Sequence, residues 1–113
     1  MYKKAIYLYS SKDYSNSLTL FQEIQILEGD TSQVLLKIAN CFLRIERFED
    51  AILNFKKCLD LDPKNFQAMN NLGYVYFKTK KYREAETLWE KIIEINPNSE
   101  VAKLNSSRLQ KIK

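Results

Sequence analysis

The chain has no histidine, and its only thiols are Cys41 and Cys58. Without imidazole there is no Ser–His or Cys–His pair to activate a nucleophile, and no histidine-based metal site. Both cysteines fall on apolar helical faces, where a reduced thiol behaves as a small core residue. A disulfide framework or a zinc site would need more sulfur or some histidine. The carboxylates are dispersed and stand beside cations, as in Glu46, Arg47, Glu49 and Asp50, or Arg83, Glu84 and Glu86. That pattern suits surface ion pairs worth about 0.3–0.5 kcal/mol each. Asp60 and Asp62 flank Leu61 ahead of Pro63, a weaker arrangement than any calcium loop. No glycine-rich phosphate loop occurs. The expectation is therefore a protein that is not an enzyme and needs no cofactor or metal. The chemistry left to it is recognition, through amides such as Asn40, Asn70 and Asn71, each with a donor and an acceptor.

The elements that must position those amides are helices. A chain of 113 residues is the size of one domain, with enough length to build a core without staples. Its hydrophobic share is 45% and its charged share 28%, ordinary for a globular protein. Two glycines and two prolines argue for long helices and against a turn-rich β architecture. No apolar run reaches the roughly 18 residues of a membrane span. The opening MYKKAIYLYSS lacks the small-residue cleavage site of a signal peptide, so the expected compartment is the cytoplasm. The net charge of +4 is concentrated at the end, where Lys103, Arg108, Lys111 and Lys113 face one acid, Glu100. Cations suit a helix C-terminus.

Residues 66–99 repeat residues 32–65 at an offset of 34 without a gap. Ile38 aligns with Leu72, Ala39 with Gly73, Phe42 with Tyr76 and Phe48 with Tyr82. Ala51 aligns with Ala85, Phe55 with Trp89, Leu61 with Ile95 and Pro63 with Pro97. A further shift of 34 places Ala5, Leu8, Tyr14, Ser17 and Phe21 in the same slots, with Gly29 for the proline and the opening residues missing. Apolar spacing of i, i+3, i+4, i+7 makes every unit a pair of helices. The expected helices are 2–11, 14–27, 33–45, 48–61, 66–79, 82–95 and 99–111. The expected turns are Lys12-Asp13, Glu46-Arg47 and Lys80-Lys81, with Asn65 and either Asn98 or Ser99 as helix N-caps. Gly73 in a helix is unfavourable by about 1 kcal/mol relative to alanine. Its placement suggests close packing, with Ala85 as the expected partner.

A 34-residue helix–turn–helix unit carrying Leu72-Gly73, Tyr76, Ala85, Trp89 and Pro97 resembles the tetratricopeptide repeat. So does the unit with Ile38-Ala39, Phe42, Ala51, Phe55 and Pro63. The resemblance implies an all-α, right-handed α-solenoid in a single domain. Its units would be 1–31 (short at its start), 32–65 and 66–99, with a capping helix at 100–113. Ala102, Leu109 and Ile112, with Val101 and Leu104, would give that helix an apolar stripe, and Arg108, Lys111 and Lys113 a wet face. Cys58 and Ile92 stand where the family usually has a small residue, and Ser17 where it has alanine, so slightly wider packing is expected there.

In this family the first helix of every unit lines a concave groove that holds peptides. Helical spacing assigns Tyr9 from the first unit, with Tyr2 and Ile6 beside it. Leu36, Asn40, Leu43 and Arg44 come from the second, flanked by Gln33 and Lys37. Asn70, Asn71, Tyr74, Phe77 and Lys78 come from the third, flanked by Gln67, and the cap adds Leu104, Asn105 and Arg108. Some family members clamp a peptide's C-terminal carboxylate with lysine, asparagine and arginine. Here those slots hold Tyr2, Ile6, Lys37, Gln67 and Asn71, and shifted by one unit they hold Leu36, Val101 and Asn105 in place of the cations. No carboxylate clamp of that kind is expected.

The expected function is a protein–protein interaction scaffold that takes a peptide or partner protein in the groove. The alternative is a self-associating structural or assembly module, a homo-oligomer joined through the tyrosine-rich helix 2–11 or the cap. Nucleic-acid binding through the basic tail ranks lower, because residues 100–113 hold no aromatic to stack on a base. The small slots give a stability test. Ala51→Leu or Ala85→Leu should overpack the helix pair and lower the unfolding free energy by about 1–3 kcal/mol in urea titrations.

Overall fold

A computed structural model describes residues 1–112. Leu109 and Ile112, expected in the apolar stripe of the last helix, and Lys111 and Lys113, expected on its wet face, have side chains outside the described residues. Among the described residues there are seven helices and no strand: α1 Tyr2–Ser10, α2 Tyr14–Glu28, α3 Ser32–Arg44, α4 Phe48–Leu61, α5 Phe66–Lys78, α6 Tyr82–Ile95 and α7 Glu100–Ile112. None of these is long and apolar enough to cross a membrane. The chain divides into two compact units, Met1–Pro63 and Lys64–Lys113.

Three turns of one kind join the paired helices. Lys12, Glu46 and Lys80 have positive φ (67°, 62° and 64°) although none is glycine. The next N–H in each case closes back over the helix end, Asp13 to Leu8 O at 2.8 Å, Arg47 to Phe42 O at 2.9 Å and Lys81 to Tyr76 O at 2.7 Å. The left-handed residues donate to Tyr9, Leu43 and Phe77 carbonyls at 3.0, 3.1 and 3.1 Å, completing a Schellman closure. The residue after each left-handed one is already the N-cap of the return helix, so the pair must run antiparallel.

In the first unit, α1 packs on α2, α2 on α3 and α3 on α4. Thr31 caps α3, its side chain accepting from Val34 N at 3.1 Å. Ser17, in the alanine slot, is fully buried and satisfied, its Oγ donating to Ala5 O at 2.7 Å. The Cys41 thiol donates in turn to Ser17 Oγ at 3.7 Å, so one polar chain ties α1, α2 and α3. The Arg47 guanidinium lies over the Phe42 ring at 5.1 Å and pairs with Asp50 at 2.7 Å.

In the second unit, α5 packs on α6, α6 on α7, and α5 also touches α7. Asn65 caps α5, accepting from Ala68 N at 3.0 Å, and Ser99, not Asn98, caps α7, accepting from Ala102 N at 3.3 Å. Two expectations are corrected. The neighbour of Gly73 is the Trp89 ring: a Cβ added at Gly73 would lie 2.5 Å from Trp89 Nε1 and 2.9 Å from Cε2. On α7, Val101 and Leu104 are exposed (54% and 53%), and among the described side chains the buried ones are Ala102 and Asn105. Asn105 goes inside because its Nδ2 donates to Asn70 Oδ1 at 2.8 Å.

The Gly73–Trp89 contact makes a coupled prediction. Gly73→Ala alone should destabilise by about 1–2 kcal/mol, overpacking outweighing the helix-propensity gain. In a Trp89→Phe background, which copies the Ala39 and Phe55 pairing of the preceding repeat, the same change should be neutral or stabilising by up to ~1 kcal/mol. A double-mutant cycle measured by denaturant unfolding reads the coupling.

Candidate partner-binding faces

In the first unit the structure brings Tyr9 and Arg44 together. Arg44 Nε donates to the Tyr9 hydroxyl at 3.0 Å, tying the C-terminal ends of α1 and α3. Tyr9 is itself held edge-on to Tyr14 at 5.1 Å. Asn40 and Leu43 are half-buried on α3, and Arg44 is exposed. Leu36 is only 5% exposed and belongs to the core, so it offers no surface to a ligand.

In the second unit Asn70 and Asn71 are half-buried and Tyr74 is 38% exposed. Phe77 packs against Tyr82 at 5.7 Å and Trp89 at 6.1 Å, so it props the α5–α6 pair as well as edging the surface. Lys78 is exposed in the last turn of α5. Asn70 spends its Oδ1 on Asn105, which fixes the amide's orientation. Between α5 and α7 lies a cleft of about 190 Å³ lined by Phe66, Gln67, Asn70, Ile92, Ser99 and Val101. Of these only Gln67 and Asn70 carry a groove expectation. Phe66 and Ser99 read as helix starts in the sequence, and Ile92 as a packing residue. The signal for the rest was the N-terminal halves of two helices 34 residues apart meeting at their open ends.

Among the described residues no three His, Cys, Asp or Glu side chains gather as a metal site. Burial pushes the Cys41 thiol up, against a smaller opposing effect of the Ser17 hydrogen bond. Burial, with the Asp62 carboxylate adding to it, pushes Cys58 from 9.0 up to about 11. Its thiol donates to Ser32 O at 3.2 Å and is held as a neutral packing group.

The tetratricopeptide repeat family profile matches residues 46–107. The chain belongs to the tetratricopeptide repeat family. Among curated relatives, this repeat chain is 29% identical over 94 residues to small glutamine-rich tetratricopeptide repeat-containing protein 2 of Mycosarcoma maydis, covering 83% of the chain and 27% of that protein. It is 24% identical over 96 residues to heat shock protein STI1 of Saccharomyces cerevisiae, covering 84% of the chain and 16% of that protein. The chain thus spans between a sixth and about a quarter of these two relatives. Among solved structures, the Arabidopsis OM64 tetratricopeptide domain matches with a TM-score of 0.92 at 23% identity, over 98% of this chain and 92% of that one. The first such domain of Spaghetti (RPAP3), solved with the HSP90 peptide SRMEEVD, matches with a TM-score of 0.91 at 16% identity, over 97% and 87%. The all-α repeat fold is shared throughout.

Cys58 makes a pH prediction. Its folded-state pKa lies above the unfolded one, so the folded chain holds the proton more tightly. The stability this contributes is whole below about 9 and is lost as pH rises toward about 11. The slope is at most about 1.4 kcal/mol per pH unit for one group. Urea unfolding under reducing conditions across that window should show a steeper decline for the wild type than for Cys58→Ala.

Proposed function

We propose that this chain is a non-catalytic module that captures a peptide or partner protein on the exposed faces of its first-of-pair helices. The observation that carries this is made in each unit by itself: half-buried amides on a first-of-pair helix beside an exposed cation, with an exposed aromatic added on α5. Asn40 and Arg44 stand on α3, and Asn71, Tyr74 and Lys78 on α5. Amides suit the main chain of an extended peptide, and partly exposed aromatics suit its apolar side chains. Proteins of this fold that bind peptides support the reading, among them the Spaghetti domain with its HSP90 peptide and a human RPAP3 domain with the HSP70 peptide SGPTIEEVD. The triple variant Asn40→Ala, Asn71→Ala, Tyr74→Ala should retain a native circular dichroism spectrum and lose about tenfold or more in partner affinity. Native dichroism with unchanged capture would overturn the assignment.

A second reading has its own observation. Tyr7 is 68% exposed and Ile6 39%. At the position of Tyr7 the later repeats hold Cys41 and Val75, both fully buried. An apolar face in that register supports self-association through α1. Light scattering of a concentrated solution should then show a dimer that Tyr7→Lys returns to monomer; a wild type that is monomeric throughout rules it out.

A further inference from the structure

We infer that the α5–α7 cleft of the second unit is a specificity pocket for one uncharged, apolar side chain in the interior of a partner's extended segment, not for a chain-terminal carboxylate. The inference rests on the peptide-capture reading above and deepens it by naming the chemistry of the anchor.

The lining decides the class. None of the six described residues that line the cleft carries a charge. Ile92, 3% exposed, forms the floor, while Phe66 and Val101, 38% and 54% exposed, stand at the rim. Large exposed apolar groups flanking a concavity favour an apolar insert, which shields all three at once. The volume of about 190 Å³ exceeds the ~150 Å³ of a cavity that accepts benzene, so a leucine, isoleucine, methionine or phenylalanine side chain fits. The polar lining is Gln67, Asn70 and Ser99, all neutral. Neutral amides and a hydroxyl pair with peptide N–H and C=O groups flanking an anchor.

A terminal carboxylate is poorly served at this place. It would need cationic donors to replace its hydration, and the described lining residues supply none. The free N–H groups at the start of α7 are already engaged in part, since Ser99 Oγ accepts from Ala102 N at 3.3 Å. The pocket is also set in advance. Asn70 is oriented by Asn105 Nδ2 at 2.8 Å, and Asn105 is 7% exposed, so a ligand meets an amide that has already lost its rotamer freedom.

The test uses the full chain and a randomised heptapeptide library acetylated at one end and amidated at the other, so that no peptide carries a terminal charge. Recovered peptides are resynthesised and their affinities measured by fluorescence polarisation. The expected result is a shared leucine, isoleucine, methionine or phenylalanine at one position, whose replacement by alanine weakens binding by about tenfold or more. Val101→Arg, at an exposed position that leaves the core alone, should weaken the same peptides by a similar factor with unchanged dichroism. Peptides that share an acidic consensus, or that bind much better with a free C-terminus, would overturn the pocket. So would peptides that lose affinity in the Asn40, Asn71, Tyr74 variant and keep it in Val101→Arg; in that case the capture reading stands and the pocket falls. A library from which nothing binds the wild type overturns both.

Discussion

The left-handed residue between paired helices is the constraint on which the rest depends. A residue with a side chain pays roughly 1–2 kcal/mol to enter that region, and the chain accepts this three times, at Lys12, Glu46 and Lys80. The return is a reversal so short that the second helix begins two residues later. The closure also places Leu8, Phe42 and Tyr76 at the third residue from the helix end, where the next N–H folds back onto their carbonyls. Those positions hold the large residue that recurs at each offset of 34, half-buried at Leu8 and buried at Phe42 and Tyr76. Backbone geometry at the turn and side-chain packing between the helices are therefore one arrangement, and the strain is held by the packing it makes available.

The repeat and helix ends were legible because they rest on local rules. Periodicity of 3.6 marks a face, and Asn65 or Ser99 marks a start, so helix ends agree with the structure to within one or two residues. What was not legible depends on reach. Ala85 and Trp89 are one turn apart on the same face, and periodicity cannot say which of them fills the space beside Gly73. The indole, being long, does so. Asn105 defeated a rule that sorts residues by polarity, because its burial depends on Asn70, 35 residues away. Val101 and Leu104 failed in the opposite direction: their apolar character says nothing about whether a neighbouring helix arrives to cover them. On α3, Leu36 lies on the stripe that includes Asn40 and Leu43, yet its side chain is enclosed by the core.

The side chains of the candidate faces are ordered by contacts within each unit. Tyr9 is steadied by Tyr14 and Arg44, Asn70 by Asn105, and Phe77 by Tyr82 and Trp89. Each of these interactions orders a side chain before any partner arrives, which lowers the entropy lost on association. Each also leaves part of the group exposed, because one hydrogen bond or one ring edge does not exhaust an amide or a phenol. The two thiols, Cys41 and Cys58, are buried as packing atoms.

The Trp89 ring carries a consequence of another kind. It is the chain's single tryptophan, it is 1% exposed, and its Nε1 has no hydrogen-bond partner among the described residues. An indole held dry against a glycine, with no acceptor to relax toward, emits at short wavelength and with a narrow band. Ile92, one turn further along the same helix, is the floor of the cleft. The molecule thus contains a built-in optical gauge confined to its second unit, and any event that loosens α6 or admits water beside Gly73 is written into the colour of its fluorescence.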